Sequence, residues 1–541
     1  MIRRPTVALA ALAWGLLAVL GAAQEKRPNI VFIFADDHAQ AAISAYGSVL
    51  NLTPNIDRIA KEGAIFRESF CANSICAPSR ATVLTGRHSH RNGKCTNGDR
   101  FDANTATLPI ALRAAGYRTA IIGKWHLQSD PVGFDEWEIL PGQGNYYNPD
   151  FRDAKGKRRV PGYVTDLITE RALTFLRAPR ENDQPFLLMV HHKAPHRNWM
   201  PSPEYHGLYD GMTMPEPPTL FDDWSGRAST LAGNEMTIDR HMFWTYDLKV
   251  PAELAKGLAG PSMKGDWGMA EWGRMTPEQR AAWDAAYAEE NAALARAKPT
   301  GRELVRWKYQ RYIKDYLRCI ASVDDSVGAI LDELERSGRA RDTIVVYSSD
   351  QGFYLGDHGW YDKRWIFEES LRMPLLMRWP ARIAPGTEIR SLVQNIDYAP
   401  TFLDAAGVTE GRAAAPDGAV SFEGMDGHSL VGLVSGREDD PAAARDLIYY
   451  AYYEEGIHAV SPHDGIRTAR HKLAWFPKTK EWQLFDLVAD PHELKSVHAD
   501  PAAAPTFLAL KKRYLAERRR LGASHWPDPP STDSHTVTVT G

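Results

Sequence analysis

The sequence predicts an α/β fold: a large, mostly parallel sheet covered by helices, followed by a smaller C-terminal α+β domain. Four apolar runs rich in β-branched residues support this prediction, at 29–34, 118–122, 186–190 and 343–347. Continuous rather than alternating apolar runs are typical of strands buried on both faces of a parallel sheet. Helical segments lie between the runs, and this strand–helix alternation indicates a sheet with helices on both faces.

An apolar run from Val7 to Leu20 opens the chain, after Arg3 and Arg4 and before small residues at 21–23. This order is typical of a secretory signal peptide, so we expect residues 1–23 to be removed and the protein to be periplasmic or secreted. The run is short for a membrane span and no charged flank follows it, so we expect no stable membrane anchor.

The composition excludes several classes of protein. With 541 residues, 44% hydrophobic and 24% charged, the chain is globular rather than disordered or multi-spanning. A net charge of −4 gives no indication of nucleic-acid binding. Four cysteines are too few for a disulfide scaffold, and the sequence does not decide whether Cys71 and Cys95 form a disulfide.

Short sequence patterns indicate where helices and domains begin and end. Apolar residues at 320–334 recur every three or four positions and stop at Gly338, which predicts a buried helix. Pro109 and Gly116 bracket a second helix over 108–115. We expect a catalytic domain at 24–439, a smaller domain at 440–525 and a disordered tail at 526–541.

Each of the four predicted strands ends at a cluster of polar residues. The clusters are Asp36-Asp37-His38, Gly123-Lys124-Trp125-His126, His191-His192-Lys193-Ala194-Pro195-His196 and Ser348-Ser349-Asp350-Gln351-Gly352. Ligands of such sheets lie beyond the carboxyl ends of the strands, so we expect one shared active site. Three crowded carboxylates, Asp36, Asp37 and Asp350, need a cation, and with the amide of Gln351 they suit Ca²⁺ or Mg²⁺.

The stretch Cys76-Ala77-Pro78-Ser79-Arg80, followed by Leu84-Thr85-Gly86-Arg87, resembles the signature of type I, formylglycine-dependent sulfatases. Pro78 suits the first turn of a helix and Gly86 its end, which would place Cys76 at the helix N-terminus, where anionic groups are favoured. Four further landmarks stand in the order of that family, at 53–57, 123–126, 194–196 and 349–359.

The resemblance implies an alkaline-phosphatase-like sandwich and a Cys76 that a maturation enzyme oxidises to formylglycine. It implies Ca²⁺, with Mg²⁺ as an alternative, held by five residues: Asp36, Asp37, Cys76, Asp350 and Gln351. The family usually has Asn or His where Gln351 stands.

The resemblance also assigns a role to each polar residue of the site. One hydroxyl of the formylglycine hydrate would attack sulfur, and the other, deprotonated by His126, would expel sulfate. Arg80 and Lys124 would hold the hydrate. His196 and Lys363 would bind the sulfate and protonate the leaving sugar oxygen.

Within the family, the stretches 349–364 and 192–199 look closest to N-acetylglucosamine-6-sulfatases. That likeness places Asp362, Arg364 and His463 around the hydroxyls of a terminal sugar whose 6-sulfate is removed. The alternative interpretation is a surface ion pair between Asp362 and Arg364, with His463 on a loop. One alternative is a glycosaminoglycan or mucin sulfatase that removes sulfate from another position of the sugar. Others are a phosphonate or phosphate ester hydrolase and an inactive glycan-binding relative with unmodified Cys76.

Overall fold

The structure, a computed structural model, describes residues 26–529 apart from 103, 181–182, 262–267, 409–412, 416–417, 421–423 and 438–439. The predicted signal peptide and residues 530–541 of the predicted tail lie outside the described residues. None of the described helices is both long and apolar enough to span a membrane.

The strands form one large sheet and three small ones. They are β1 Asn29–Ala35, β2 Ala64–Phe66, β3 Ser69–Phe70, β4 Arg118–Lys124, β5 Glu136–Leu140, β6 Asp150–Asp153, β7 Gly156–Arg159, β8 Phe186–His191, β9 Thr343–Ser349, β10 Leu375–Arg378, β11 Thr387–Ile389, β12 Val393–Gln394, β13 Ala413–Ala415, β14 Gly418–Val420, β15 Leu447–Tyr452, β16 His463–Thr468, β17 His471–Phe476 and β18 Glu481–Asp486. The large sheet has ten strands in the order β11-β2-β10-β9-β1-β8-β4-β5-β6-β7. Its centre, β9-β1-β8-β4, is parallel throughout. These are the four strands that the apolar runs predict, and the fold class is confirmed.

Helices cover both faces of the large sheet, and the last helix packs on the sheet of the smaller domain. They are α1 Pro54–Lys61, α2 Cys76–Thr85, α3 Ser89–Asn92, α4 Leu108–Ala114, α5 Val164–Arg177, α6 Ala252–Ala255, α7 Gly268–Trp272, α8 Pro277–Ala297, α9 Gly301–Arg336, α10 Glu368–Leu371, α11 Tyr398–Ala405, α12 Val431–Val434 and α13 Ala504–Leu521. Both helices predicted from local signals are present, as α4 and the second half of α9.

Strand β1 shows why its apolar run is continuous. Val31 and Ile33 point into one hydrophobic core, formed with α1, α5 and α9. Ile30 and Phe32 point into the opposite core, formed with α2, α4 and α11. Because successive side chains of a strand face opposite ways, a strand between two cores needs apolar residues at every position.

The smaller C-terminal domain is a four-stranded antiparallel sheet, β15-β16-β17-β18, covered by α13. Phe507 and Tyr514 of α13 pack on the sheet residues Ile466 and Leu473. Trp526, the first residue of the predicted tail, stacks on Tyr453 with ring centroids 5.1 Å apart. The boundary between the domains at 440 stays a prediction.

Candidate active site

The carboxyl ends of the central strands bring the predicted carboxylates together. Ala35 pairs with Ser349, so the residues that follow β1 and β9 leave the sheet at the same level. One carboxylate oxygen from each of Asp36, Asp37 and Asp350 lies within 4.8 Å of the others. All three side chains are fully buried.

Helix α2 places Cys76 against this group. Its first residue is Cys76, and the chain leaves the helix at Gly86 with a φ of 64°. The Sγ atom of Cys76 lies within 4.8 Å of ligand atoms of Asp36 and His196. Burial raises the pKa of the Cys76 thiol, so an unmodified thiol here is a poor nucleophile at neutral pH.

Three buried cations face the three carboxylates. Arg80 Nη2 lies 3.2 Å from Asp350 Oδ2, and Lys124 pairs with Asp36. Lys363 Nζ lies 2.7 Å from both carboxylate oxygens of Asp37. Each carboxylate therefore has a cationic partner within the protein itself.

The pKa values show an unequal distribution of charge. Burial alone would raise the pKa of Asp36, but Lys124, His196 and Arg80 hold it well below its usual range. Burial and the charge of Asp36 raise the pKa of Asp350 well above its usual range.

The donor set fits a divalent cation. Asp36 Oδ1 and Gln351 Oε1 are buried and accept no hydrogen bond within the described part of the chain. Gln351 donates its amide nitrogen to Asp37, which leaves the amide oxygen available as a ligand. A buried acceptor without a donor is costly, and carboxylate and amide oxygens are the ligands that Ca²⁺ and Mg²⁺ take.

Two histidines stand where a proton can be exchanged. His196 Nε2 lies 3.9 Å from Asp37 Oδ2, and its Nδ1 donates to the carbonyl of Arg197. His126 Nδ1 is buried and has no hydrogen-bond partner among the described residues. Burial and Lys124 lower the pKa of both histidines, which favours the neutral imidazole at each position.

The predicted sugar-binding residues Asp362 and Arg364 form a buried group rather than a surface ion pair. Arg364 Nε donates to Asp362 Oδ2 at 2.9 Å, and Asp362 Oδ1 lies 3.3 Å from Lys363 Nζ. Arg364 Nη1 donates to Tyr452 Oη at 3.0 Å and to Glu454 Oε2 at 2.9 Å. Both backbones have positive φ, 82° for Asp362 and 94° for Arg364, so tertiary contacts hold this segment in an uncommon conformation.

The prediction for His463 needs correction. His463 is fully buried in the smaller domain, where its ring stacks on Phe476 at 5.2 Å. Its Nε2 accepts from the amide of Ile366 at 3.0 Å and its Nδ1 lies 2.8 Å from the carbonyl of Ser461. Both ring nitrogens are occupied by the protein, so His463 cannot reach a ligand.

Sequence reasoning missed a second histidine, His458, which contacts Asp362. His458 Nε2 lies 3.1 Å from Asp362 Oδ2, and its side chain is 18% exposed. Its Nδ1 lies 3.1 Å from the carbonyl of Glu235, in the long connection between β8 and β9. That connection also supplies Asp247, which binds Arg197 through two contacts of 2.6 Å. No motif in the sequence marks His458 or Asp247.

Comparisons with known proteins identify the family of the chain. A model of the family described as "Sulfatase" matches residues 28–408, and one described as "N-sulphoglucosamine sulphohydrolase, C-terminal" matches residues 356–520. N-acetylglucosamine-6-O-sulfatase of Bacteroides thetaiotaomicron is 42% identical over 497 residues, covering 90% of this chain and 86% of that protein. N-acetylglucosamine-6-sulfatase of Homo sapiens is 26% identical, covering 83% and 71%.

A solved structure is also similar. It is BT4656 in complex with its substrate D-glucosamine-2-N,6-O-disulfate, with a TM-score of 0.86 and 40% identity, covering 94% of this chain and 100% of that one. The family model spans most of the sequence, and the bacterial relative is similar over nearly the full length of both proteins. The chain therefore belongs to the sulfatase family and is a sulfuric ester hydrolase.

Proposed function

We propose that this sulfatase removes the 6-O-sulfate from a terminal glucosamine, N-acetylated or N-sulfated, of a sulfated glycan. The observation that supports this most directly is the group formed by Asp362, Arg364 and His458, which adjoins the catalytic cluster through the 3.3 Å contact of Asp362 with Lys363. The names of the bacterial relative and of the substrate bound to BT4656 point to the same sugar.

Arg364 is the donor best placed for the sugar hydroxyls. Its Nε and Nη1 are bound to protein acceptors, whereas Nη2 makes no hydrogen bond within the described residues. A guanidinium fixed on one side and open on the other presents its remaining N–H groups in a defined direction. Asp362 accepts from Arg364 and carries further lone pairs for a hydroxyl. A sugar held here would have its 6-position toward Lys363.

The chemistry at sulfur depends on two groups that the family supplies. Formylglycine at residue 76, made by a maturation enzyme, would provide an aldehyde hydrate with two hydroxyls on one carbon. Asp36, Asp37, Asp350, Gln351 and residue 76 would hold a divalent cation, which would supply positive charge beside the hydrate.

Side chains of the protein stabilise charge and transfer protons in this proposed reaction. Arg80, Lys124 and Lys363 stabilise the negative charge that develops on the sulfuryl oxygens. A bound sulfate brings negative charge to His196 and favours its protonated form, so His196 and Lys363 can pass a proton to the leaving sugar oxygen. Among the described residues, nothing forms a hydrogen bond with Nδ1 of His126, so this atom can accept a proton from the hydroxyl of residue 76.

A panel of substrates tests the proposal. We expect release of sulfate from N-acetylglucosamine 6-sulfate and N-sulfoglucosamine 6-sulfate, less from 3-O- or 2-O-sulfated sugars, and little phosphate or phosphonate hydrolysis. Preference for another sulfate position, or faster turnover of a phosphonate monoester, would contradict it. Peptide mass spectrometry of protein from its native host should show residue 76 as the aldehyde; a thiol in fully active enzyme would contradict the formylglycine assignment.

We also propose that the protein is exported, on the strength of residues 1–23 alone. The mature N-terminus of protein recovered from the periplasm or medium should then begin shortly after residue 23. Retention of the full chain in the cytoplasm would contradict export.

A further inference from the structure

Helix α2, which carries residue 76, lacks a cap of its own. Its N-cap residue is Ile75, whose side chain cannot accept a hydrogen bond. Pro78 has no N–H, and the amide of Ser79 donates to the carbonyl of Ile75 at 3.0 Å. The amide of Ala77, next to residue 76, belongs to the first turn and has no acceptor within the helix, so its acceptor must come from elsewhere in the chain.

Asn97 supplies that acceptor from a separate loop. Its Oδ1 accepts from the amide of Ala77 at 3.1 Å. The loop is itself fixed: Lys94 Nζ and Gln128 Nε2 donate to the carbonyl of Asn97 at 3.1 and 2.6 Å. Asp99 Oδ2 accepts from the amide of Thr96 at 2.7 Å. Asn97 is thus held against the first turn of α2 by its neighbours.

The smaller domain reaches the same loop through Glu454, which follows β15. One of its oxygens accepts from the amide of Asn97 at 3.1 Å. The other accepts from Arg364 Nη1 at 2.9 Å. Glu454 is 8% exposed, so both contacts lie in a setting where charged hydrogen bonds are strong. One carboxylate therefore connects the sugar-binding arginine to the loop that caps α2.

We propose that Glu454 and Asn97 are positioning residues that couple the grip of Arg364 on the sugar to the alignment of residue 76. The path runs from Arg364 through Glu454 and Asn97 to Ala77 and the first turn of α2. Neither residue touches the reacting atoms; each acts through a neighbour. The inference rests on the proposed function to the extent that Arg364 contacts the substrate.

The Asn97 half of the path can be tested on a small aryl sulfate. Asn97→Ala removes the acceptor of the Ala77 amide, and loss of an N-terminal cap of this kind corresponds to a decrease in kcat of about tenfold if its full effect reaches the reaction. Asn97→Asp keeps an acceptor oxygen and should restore most of the rate. Asn104→Ala, at an exposed position of the following segment, is the matched control and should leave kcat unchanged.

The Glu454 half of the path is tested by kinetics on the sugar substrate. Glu454→Gln keeps an oxygen for the Asn97 amide but removes the charge opposite Arg364, so KM for N-acetylglucosamine 6-sulfate should rise about tenfold. The ratio of kcat/KM on sugar to that on aryl sulfate should fall with it. Glu455→Gln, whose side chain is 59% exposed beside Lys478, should change neither value.

The double variant Asn97→Ala/Glu454→Gln completes the test, because residues on one path give non-additive effects. We expect the double variant to lose less kcat/KM on the sugar than the product of the single losses. Additive losses, or equal rates for Asn97→Ala and Asn97→Asp, would overturn the coupling. So would a lowered melting temperature with wild-type kcat in Asn97→Ala, because the cap would then be only structural. Wild-type enzyme inactive on both 6-sulfated sugars would instead refute the proposed function, and the aryl sulfate comparison of the Asn97 variants would still decide the effect on residue 76.

Discussion

Replacing Asp362 by Ala should separate activity on the sugar from activity on a simple sulfate ester. The carboxylate is 4% exposed and contacts three partners: Lys363 at 3.3 Å, Arg364 at 2.9 Å and His458 at 3.1 Å. Two of them, Arg364 and His458, face the proposed sugar pocket. Truncating one member of a buried, hydrogen-bonded charge pair costs about 2–5 kcal/mol. On the sugar this corresponds to a loss of roughly 30- to 4,000-fold in kcat/KM.

The loss on a nitrophenyl sulfate should be much smaller. That substrate makes no contact with Arg364 or His458, so only the effect through Lys363 remains. Lys363 keeps its two 2.7 Å contacts with Asp37, which hold the ammonium group in place without Asp362. The ratio of kcat/KM on sugar to aryl sulfate is therefore the informative quantity.

The assay needs steady-state kinetics on both substrates and a thermal unfolding curve for each variant. Asp362→Asn keeps the shape of the side chain and removes its charge, so its loss should lie between wild type and Asp362→Ala. His463→Leu is the control: it should lower the melting temperature, since it leaves the Ile366 amide without an acceptor, and should affect both substrates equally. Equal losses on sugar and aryl sulfate for a well-folded Asp362→Ala, or a sugar-specific loss for His463→Leu, would refute this view of the pocket.

Three further perturbations have defined outcomes. Removing the metal with a chelator should abolish turnover and lower the melting temperature without unfolding the protein at 25 °C, because three buried cations pair with the carboxylates; unchanged activity in metal-free enzyme would exclude a metal. His196→Ala should lose more rate as the leaving group becomes poorer, whereas His126→Ala should lose the same rate throughout a series of aryl and sugar sulfates; identical dependence would show the two roles to be misassigned. Burial alone would lower the pKa of His358, but its hydrogen bond to Asp222 and the carboxylate of Glu369, 3.7 Å from its Nε2, raise the pKa to about 9. Its contribution to stability is therefore complete below its unfolded pKa of about 6.5 and is lost as the pH rises to about 9. His358→Gln should accordingly flatten the fall in unfolding free energy over that interval, measured by denaturant titration at several pH values, and an unaltered slope would contradict the assignment.

The sequence predicts the centre of the large sheet well and its edges poorly. β1, β4, β8 and β9 lie between two cores, so burial on both faces imposes an apolar run that can be recognised. At the edge, the hairpin β6–β7 exposes all of Gly156–Arg159, and a strand without a buried face has no apolar pattern to detect. The site residues that follow the central strands could be predicted for the same reason, because parallel strands in register end at one level.

Only the second half of helix α9 can be predicted from the sequence. Its second half shows the apolar period from Ile320 to Leu334, but the helix begins at Gly301. The first half buries Lys308, Arg311 and Asp315. Arg311 donates to the carbonyl of Leu248, and such paired polar groups can be buried in a helix although they interrupt its apolar period. Their partners are distant in the chain, so the pattern alone cannot show that the helix continues.

The two histidines His458 and His463 show where prediction from the sequence stops. His463 pairs with Tyr452 in the antiparallel sheet of the smaller domain, and its ring stacks on Phe476 in the protein interior. His458 follows Gly456, which has a φ of 86°, and itself has a φ of 55°. A left-handed histidine is uncommon and is held by its contacts, here with Glu235 and Asp362. The direction of a side chain on a strand follows from the period of the strand, but the direction of a loop side chain follows from partners that lie more than ninety residues away in the chain. The loop residues of the proposed sugar site are therefore the part that requires the three-dimensional structure.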